Sequence, residues 1–374
     1  LGSVGLVDPI SPGVVPGSDV AHFALLGYDP FRFYTGRGSL EAVGAGIRLA
    51  PTDVAFRCNF ATVDENLTVV DRRAGRIKEH TQDLAESLNG MRITSTPDVA
   101  AEFHSTIEHR AVLVLRGPSI SRMVSDTDPH ATNIKVAKST PLDETPASKK
   151  TAVALNEFTE KSFEILQKHE VNIERRSRGQ NPANIVIARG PGTLPPITPL
   201  TVQYGLKAAC VAAIPMVRGI CKISGMEVLN VEGATGGLDT NLDAKAHAAL
   251  EASEKNDLVF LHVKATDIPS HDGDFEMKKK ILEKIDKMFG TMFDQIDLGN
   301  TYIALTADHA TPISVRDHSA DPVPIVIAGP DFPPSGLKKF SEKNSAHGNI
   351  GRIRALDIIP MIVDRLGRAK KFGF

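Results

Sequence analysis

The chain has 374 residues, of which 41% are hydrophobic, and a formal net charge of -2 at pH 7. This length suits one large hydrophobic core or two moderate ones, and we expect two domains. The balanced charge gives no general attraction to nucleic acid or anionic lipid, so an anionic ligand would need a local basic cluster. The longest strongly apolar stretch, Ala208 to Val217, is shorter than the roughly 20 residues that span a bilayer, which predicts a soluble protein with no membrane partner.

The cysteines indicate the cellular compartment of the protein, and the first residues indicate whether the sequence includes its true start. Cys58, Cys210 and Cys221 lie in apolar runs without CxxC spacing, which predicts buried free thiols in a reducing compartment, the cytoplasm. The chain opens Leu-Gly-Ser-Val-Gly, with neither an initiator methionine nor a signal-type segment. We therefore expect the true start of the protein to precede residue 1.

Short apolar runs rich in β-branched residues predict buried strands, and longer periodic runs between them predict helices. The predicted strands are Val54 to Val63, Ala111 to Leu115, Ile185 to Ala188, Ala208 to Ile214, Leu258 to Val263, Tyr302 to Leu305 and Val323 to Ala328. The predicted helices include Ala154 to Lys168, Asp243 to Ser253 and Phe275 to Phe289. This alternation predicts an α/β fold with a largely parallel sheet.

Two polar segments interrupt this pattern. The segment Asp126 to Lys150 has little periodicity and predicts a long loop or a mobile arm. The Gly- and Pro-rich stretch Arg189 to Pro199 cannot continue a helix or a central strand, so we place a domain boundary there. The metal-type residues all follow that boundary, whereas the candidate nucleophile precedes it. We therefore predict a core of residues 1–50 and 198–374, split by a smaller inserted α/β domain of residues 51–197.

Histidine and aspartate cluster where predicted strands end. Asp267 follows one apolar run and His271 comes four residues later, while Asp308 and His309 follow the next run and His318 precedes another. Ligands of α/β sheets bind at the carboxyl ends of strands, and imidazole with carboxylate suits divalent ions such as Zn or Mn. Together these residues predict a metal centre, and the alternative is a solvated network of salt bridges.

Ser18 is the candidate nucleophile. It follows Gly17 and precedes an apolar pattern typical of a helix, so its hydroxyl would lie at a helix N-terminus, where developing negative charge is stabilised. Taken alone, Ser18 reads as an N-cap residue, but a metal ion would activate the same hydroxyl. His22, one turn later, either touches substrate or is packed or solvent-facing.

Basic residues gather in the middle of the chain, where arginine provides the two-pronged donor that suits phosphate and carboxylate. The richest motif is Asp71-Arg72-Arg73-Ala74-Gly75-Arg76, which follows a strand. Further candidates are His109, Arg110, Asp128, His130, Arg175, Arg176, Arg189 and, at the start of a core strand, Lys207. The lysine runs 278–280 and 370–371 read as solvated surface.

These motifs in combination resemble the alkaline phosphatase superfamily, and within it the archaeal type of 2,3-bisphosphoglycerate-independent phosphoglycerate mutase. The resemblance rests on Gly-Ser18-Asp, Asp267-x-x-x-His271, Asp308-His309, His318, the arginine motif, Asp-Thr-Asp-Pro-His130 and Asp-Pro-Val-Pro324. It extends from the first residues, through Gly27-Tyr-Asp-Pro30 and Gly36-Arg-Gly38, to Lys371-Phe-Gly373. It implies a split phosphatase-like core and a phosphoglycerate substrate. It also implies interconversion of 3- and 2-phosphoglycerate without 2,3-bisphosphoglycerate, and leaves a homo-oligomer open.

The resemblance further implies two divalent ions, often Mn and sometimes Mg, Co or Zn. Asp267, His271 and His318 would hold one ion, and Asp308, His309 and Ser18 the other. Ser18 would take up the phosphoryl group. The residues that would grip the substrate's phosphate and carboxylate are Arg72, Arg76, His109, Arg110, Asp128, His130 and Lys207.

One departure from the family pattern stands out. Relatives begin with an apolar strand that ends in Asp-Gly and supplies a further ligand to the serine-side ion, and nothing in this sequence corresponds to it. We expect that segment to precede the first residue given, since a fold without a central strand would expose its core. Two alternatives stay open: another phosphatase, phosphodiesterase or phosphomutase of the superfamily, and an inactive binding protein that kept the fold.

Overall fold

A computed structural model describes residues 2–371 and 373 of the chain. Its strands are β1 (Ser3–Asp8), β2 (Val54–Val63), β3 (Val69–Asp71), β4 (Ala100–Ser105), β5 (Arg110–Arg116), β6 (Ile185–Gly192), β7 (Ala208–Val211), β8 (Glu227–Val228), β9 (Leu258–Leu261), β10 (Ile303–Leu305), β11 (Val323–Ala328) and β12 (Gly351–Arg354). Its helices are α1 (Ser18–Leu25), α2 (Pro30–Phe33), α3 (Arg37–Gly44), α4 (Thr81–Glu86), α5 (Pro146–Leu166), α6 (Glu170–Ser177), α7 (Leu200–Tyr204), α8 (Pro215–Ile223), α9 (Leu242–Ser253), α10 (Asp267–Asp272), α11 (Phe275–Phe293), α12 (Glu342–Ser345) and α13 (Ala355–Arg365). Across the described part of the chain, every helix is too short or too polar to span a bilayer.

The chain forms two compact units. The two-segment unit consists of Leu1–Tyr34 and Pro196–Phe374, and the middle unit is the continuous stretch Thr35–Pro195 between them. The sequence placed the divisions after residues 50 and 197. The first division lies earlier in the chain because α3 packs against β2 and β6 and so belongs to the middle unit.

The two-segment unit contains a small parallel sheet. Its strand order is β8-β7-β9, and β7 is parallel to both neighbours. Helix α8 connects β7 to β8 and α9 connects β8 to β9, the helical crossovers that parallel pairing requires. Parallel strands end at a common edge, so the residues that follow β9 lie at the carboxyl edge of this sheet.

The second sheet of this unit is mixed, with the order β10-β11-β1-β12. Strand β1 is antiparallel to β11 and parallel to β12, and β10 is antiparallel to β11. No described helix separates β10 from β11, so the chain returns beside itself in the opposite direction. The prediction of a largely parallel core sheet is therefore wrong for this half of the unit.

Strand β1 was missed by sequence reasoning. It is almost entirely buried and ends at Asp8, whose carboxylate accepts hydrogen bonds of 2.9 and 2.7 Å from the Arg352 guanidinium. The described chain thus does begin with a strand that ends in aspartate. That aspartate pairs with an arginine of β12 and not with the metal-type residues.

The middle unit is built on an antiparallel sheet in which β2 pairs with β3, β5 and β6, and β5 pairs with β4. Alternate side chains of β2 face opposite sides. Phe56 and Phe60 lie in a large core that also contains Phe158 of α5. On the other face, Ala55 packs in a smaller cluster with Ala42 of α3. The inserted part is thus α/β in composition, but its sheet is antiparallel.

Several local predictions can be compared directly with the structure. The bounds predicted for β2 and β11 are the observed ones, whereas α5 begins at Pro146 within the segment predicted as a loop. The residues of this segment before Pro146 form no helix or strand. The Ser139 hydroxyl donates a 2.7 Å hydrogen bond to the Ser125 carbonyl, a contact that holds the segment in place and argues against a mobile arm. All three cysteines are buried and free, as predicted. Phe372, part of the closing motif, lies outside the described residues.

Candidate metal centre

The five predicted metal ligands and Ser18 converge in the two-segment unit. Asp267 is the first residue of α10, at the carboxyl edge of the parallel sheet, and His271 lies one turn further along that helix. Asp308 and His309 follow β10, and His318 lies in the same connection, next to a bridge between Ala310 and Ser319. The structure therefore brings together residues that the sequence separates by almost the whole chain.

Asp267 lies at the middle of one group. Its Oδ1 atom is 3.3 Å from His271 Nε2 and 3.9 Å from His318 Nε2. The ring of His318 stacks on that of His309 with 3.6 Å between centroids. Ligand atoms of Asp267, His309 and His318 all lie within 4.8 Å of one another, a spacing that one metal ion can bridge.

Ser18 and Asp308 adjoin the same cluster through His309. The Nε2 atom of His309 is 2.9 Å from Ser18 Oγ and 3.2 Å from Asp308 Oδ2. Helix α1 begins at Ser18, with Gly17 in the N-cap position and no side-chain cap. The simple N-cap interpretation of Ser18 is therefore wrong, because its hydroxyl faces His309 and not the backbone of its own helix.

The second ring nitrogen of each ligand histidine is fixed by an acceptor. His271 Nδ1 donates to the Arg316 carbonyl at 2.9 Å, and His318 Nδ1 donates to the Pro16 carbonyl at 2.7 Å. In the neutral ring, this arrangement leaves each Nε2 atom with a free lone pair directed at Asp267. A lone pair facing a carboxylate is unfavourable unless a cation lies between them, and histidines anchored in this way are typical of metal sites.

His309 is fixed similarly, but by a side chain. Its Nδ1 atom lies 3.1 Å from the Thr311 hydroxyl, which in turn donates to Asp267 Oδ1 at 3.2 Å. Because the Thr311 hydroxyl donates its proton to Asp267, it accepts a hydrogen bond from His309, so Nδ1 of His309 carries the ring proton. The Nε2 atom is then free to accept a hydrogen bond from the Ser18 hydroxyl. Burial lowers the pKa of His309, which keeps the ring neutral at physiological pH. Neutral imidazole is the form that binds a metal ion.

Sequence reasoning did not single out Lys264. Its ammonium lies 2.5 Å from Asp267 Oδ2. Burial, the largest single effect, would raise the pKa of Asp267, but the charge and the hydrogen bond of Lys264 act together with other nearby groups to hold that pKa below its ordinary value. Asp267 is thus ionised, and a carboxylate surrounded by imidazole side chains is a donor set that fits Mn or Zn. These fixed tautomers favour a metal centre over a solvated network of salt bridges.

His22 is packed, one of the alternatives left open by the sequence. It is only 2% exposed, its ring lies edge-on to those of Phe260 and His262, and its Nδ1 atom donates to the Ser18 carbonyl at 2.6 Å. The same nitrogen is 3.6 Å from Asp308 Oδ2. His22 therefore supports the turn that presents Ser18.

The arginine motif occupies a tight turn of the middle unit. The Asp71 carboxylate accepts from the backbone N–H groups of Arg73 and Gly75 at 2.8 and 2.7 Å, which fixes the turn. Arg72 donates two hydrogen bonds, of 2.9 and 2.7 Å, to Asp128, so its guanidinium is already engaged. Arg76 has a left-handed backbone, with φ at 55°, and its guanidinium makes no hydrogen bond or ion pair with the described residues.

The other predicted substrate residues differ in availability. His109 is buried, and desolvation together with the adjacent Arg110 charge lowers its pKa to about 4. His130 is exposed and pairs with Asp126 at 2.9 Å. Arg110 projects from the start of β5 and has no ion pair among the residues described.

Lys207 is not brought to the metal centre. It is exposed immediately before β7, and its backbone N–H donates to Asp257, the residue before the parallel neighbour β9. Lys207 therefore lies at the amino edge of the parallel sheet, whereas Asp267 follows the carboxyl edge. Because the two edges of a parallel sheet are opposite, Lys207 lies away from the edge that Asp267 follows, and its assignment to substrate binding stays a prediction.

The contact between Asp128 and Arg72 leads to a stability prediction. We expect Asp128→Asn to lower the free energy of unfolding by about 1.5 to 3 kcal/mol at pH 7, because a buried charged acceptor of two hydrogen bonds is lost. Despite the opposing effect of burial, Arg72 and Arg189 hold the pKa of Asp128 below its ordinary value. The stabilisation is therefore fully present above about pH 4 and is lost as the pH falls through that depressed pKa.

Chemical denaturation of wild type and Asp128→Asn between pH 3 and 8 provides the measurement. The difference between the two proteins should be constant at neutral pH and shrink below about pH 4. Glu160→Gln, at an exposed position of α5, is a matched control that should match wild type throughout. A constant difference down to pH 3 would contradict the assigned role of Asp128.

Comparison with known proteins identifies the chain. Residues 1–172 match the sequence profile of a family described as 2,3-bisphosphoglycerate-independent phosphoglycerate mutase. A protein of that name from Methanothermobacter thermautotrophicus is 44% identical over 370 residues, which cover 99% of this chain and 90% of the relative. Another, from Saccharolobus islandicus, is 47% identical over 372 residues, covering 99% and 89%.

Solved structures agree with this result. A Pyrococcus horikoshii protein superposes with a TM-score of 0.84 at 37% identity, covering 100% of this chain and 89% of its own. The cofactor-independent phosphoglycerate mutase of Thermoplasma acidophilum gives a TM-score of 0.69 at 33% identity, with coverage of 97% and 89%. The chain belongs to the 2,3-bisphosphoglycerate-independent phosphoglycerate mutase family.

Proposed function

We propose that this protein interconverts 3-phosphoglycerate and 2-phosphoglycerate through a phosphoryl group carried by Ser18, without 2,3-bisphosphoglycerate. The observation that carries the proposal is the position of Ser18 Oγ, 2.9 Å from Nε2 of His309, a residue whose ligand atom groups with those of Asp267 and His318. The names of full-length relatives at 44–47% identity support the choice of substrate.

The residues present can hold divalent metal. Asp267, His271 and His318 would form one ligand group and Asp308, His309 and Ser18 the other, although His309 adjoins both. Metal bound there would make the Ser18 hydroxyl more acidic and neutralise charge on the phosphoryl oxygens. Manganese is the ion we propose first, with Mg, Co and Zn as alternatives.

The chain's own groups then define the transfer. The Ser18 oxygen forms a bond to phosphorus and loses its proton, while the bond between phosphorus and the substrate oxygen breaks and that oxygen gains a proton. Free glycerate turns, and its other hydroxyl oxygen loses its proton and takes the phosphoryl group back, while the bond between phosphorus and the Ser18 oxygen breaks and that oxygen regains a proton. The start of α1 supplies backbone N–H groups that favour negative charge near Ser18.

The direct test is conversion of 3-phosphoglycerate, coupled to enolase, with no 2,3-bisphosphoglycerate added. We expect turnover with Mn and none after exhaustive chelation. Release of inorganic phosphate in place of 2-phosphoglycerate would point to a phosphatase and would overturn the mutase assignment.

A second prediction concerns retention of glycerate by the arginine motif. Arg76→Ala is expected to lower the mutase rate about tenfold to hundredfold, the equivalent of one lost charge-assisted contact. Because water would then compete for the phosphoserine, the ratio of inorganic phosphate to 2-phosphoglycerate should rise. Arg76 suits this test because no described contact with another residue would be lost.

Its control is Arg48→Ala, in the same unit, where the replaced side chain is exposed and also makes no described contact. Both products are quantified from the same reactions, together with bound metal. An unchanged product ratio and full mutase activity in Arg76→Ala would eliminate the proposed role.

A further inference from the structure

Lys245 is a buried lysine that the proposed transfer does not use. Its side chain is fully buried, one turn after Asn241, the N-cap residue of α9. Among the residues described, no carboxylate forms an ion pair with it. Burying an ammonium without a counter-ion costs free energy, and the partial positive charge at the start of a helix adds to that cost. Burial accordingly lowers the pKa of Lys245.

The Lys245 ammonium makes one hydrogen bond with the described residues, a donation of 3.0 Å to the carbonyl oxygen of His262. His262 directly follows β9, and its own N–H group donates to the Val211 carbonyl of β7 at 2.9 Å. Because α9 runs back along the sheet before β9 begins, its first turn lies at the carboxyl edge. Lys245 therefore ties the start of α9 to the end of β9, at the edge that Asp267 follows.

The ring of His262 faces the helix that bears the candidate nucleophile. Its Nδ1 atom is buried without a hydrogen-bond partner among the residues described, and burial lowers the pKa of His262 well below its ordinary value. The neutral ring lies edge-on to that of His22, with 5.0 Å between centroids. His22 Nδ1 in turn donates to the Ser18 carbonyl at 2.6 Å. These contacts join Lys245, His262, His22 and Ser18 in an order that we call the anchor chain.

Ser18 depends on support from outside its own helix. It is the first residue of α1, and the N-cap residue Gly17 offers no side chain to fix the turn. Phosphoryl transfer requires the attacking oxygen to lie in line with the bond that breaks, and a misplacement of about 1 Å costs about a hundredfold in rate. A contact that steadies His22 therefore bears on the rate of the reaction.

We infer that Lys245 is a positioning residue for Ser18, because its ammonium fixes the His262 carbonyl while the His262 ring holds His22 against the start of α1. Lys245 acts through these residues and contacts neither the substrate nor the reacting atoms. The inference deepens the proposed function and rests on it, since the rate that it affects is that of phosphoryl transfer.

The first test is Lys245→Met, which keeps an unbranched side chain and removes the charge. In the coupled mutase assay at saturating Mn, kcat should fall about tenfold to hundredfold while KM changes by less than about twofold. Lys284→Met is the matched control, because Lys284 of α11 is exposed and has no described contact. An unchanged kcat in Lys245→Met, or a raised KM with unchanged kcat, would overturn the inference.

Amide hydrogen exchange provides a readout that is independent of activity. In Lys245→Met, peptides that contain the start of α1 and the end of β9 should exchange about threefold to tenfold faster than in wild type, the equivalent of one hydrogen bond. Peptides from β2 and β5 of the middle unit should exchange as in wild type. The same exchange rate in both proteins at the start of α1 would eliminate the anchor chain.

Thermal unfolding separates positioning from folding. The Tm of Lys245→Met should stay within about 4 °C of wild type, because the His262 carbonyl loses a hydrogen bond while the cost of burying an ammonium disappears. A lower Tm with the kcat of wild type would show a purely structural role and would overturn the inference.

A second variant keeps the inference testable if Lys245→Met does not fold. His262→Leu removes the ring that contacts His22 and leaves the carbonyl that accepts from Lys245. It should lower kcat by a similar factor, and a folded His262→Leu protein with normal kcat would contradict the anchor chain.

The same measurements distinguish this inference from the proposed function. A wild-type protein that converts no phosphoglycerate, while Lys245→Met shows faster exchange at the start of α1, would overturn the proposed function alone. A wild-type protein that converts phosphoglycerate, with the same kcat in Lys245→Met, would overturn the positioning role of Lys245 alone.

Discussion

Replacing Ser18 by alanine is expected to lower the rate of phosphoglycerate interconversion by at least about a thousandfold, because loss of a covalent nucleophile removes the reaction path itself. The structure supports this expectation by placing Ser18 Oγ beside His309 and outside any capping role in α1. Bound metal and thermal stability should change little, since two histidine and aspartate groups remain.

The measurement combines turnover with identification of the phosphorylated residue. Wild type quenched during turnover should carry phosphate on Ser18, as mapped by mass spectrometry, and Ser18→Ala should carry none. Ser11→Ala, in the preceding loop, is the matched control because the Ser11 hydroxyl makes no described hydrogen bond. Phosphate on another residue, or near-normal turnover by Ser18→Ala, would reject Ser18 as the nucleophile.

Asp267→Asn is expected to reduce both metal content and activity, the latter by about a thousandfold or more. Asp267 is the carboxylate nearest to His271 and His318, and it also accepts from Thr311. An amide in its place would lose the negative charge that balances a divalent cation, and charge stabilisation by metal contributes several kcal/mol to phosphoryl transfer. Each 1.36 kcal/mol corresponds to roughly a tenfold change in rate.

Elemental analysis and the coupled assay should be run on the same samples, before and after chelation and Mn addition. Asp272→Asn provides the control, since Asp272 lies on the same short helix, is exposed and has no described contact. Wild-type protein that keeps its activity after exhaustive chelation, or Asp267→Asn with full metal content, would refute the metal centre.

The convergence of the predicted metal ligands could be expected from the sequence, because residues that follow strands meet at one edge of a sheet and ligands bind there. The contact between Lys264 and Asp267 could not be predicted from the sequence. A lysine near a strand end normally extends into solvent, and only the fold shows that its ammonium reaches Asp267. Lys207, by contrast, precedes a strand and therefore lies at the opposite edge of the parallel sheet.

Strand pairing in the middle unit shows a different limit of sequence reasoning. Arg57 is a single charge in a continuous apolar run, which predicts the strand correctly but says nothing about its neighbours. Its partner Arg189 is more than a hundred residues away and becomes adjacent only through the register of β2 with β6. Pairing order and register depend on long-range contacts, which also explains why the mixed sheet containing β1 was missed.

The hydrogen bond from His318 to the Pro16 carbonyl joins residues 302 positions apart, and the one between Ser18 and His309 spans 291 positions. During synthesis, the segment bearing the nucleophile leaves the ribosome long before the residues that position it. A nascent chain therefore cannot assemble this centre until the last quarter of the protein has been made. Partly synthesised or prematurely terminated chains would lack the arrangement around Ser18. Such chains would therefore not take phosphoryl groups from the cell's phosphorylated metabolites.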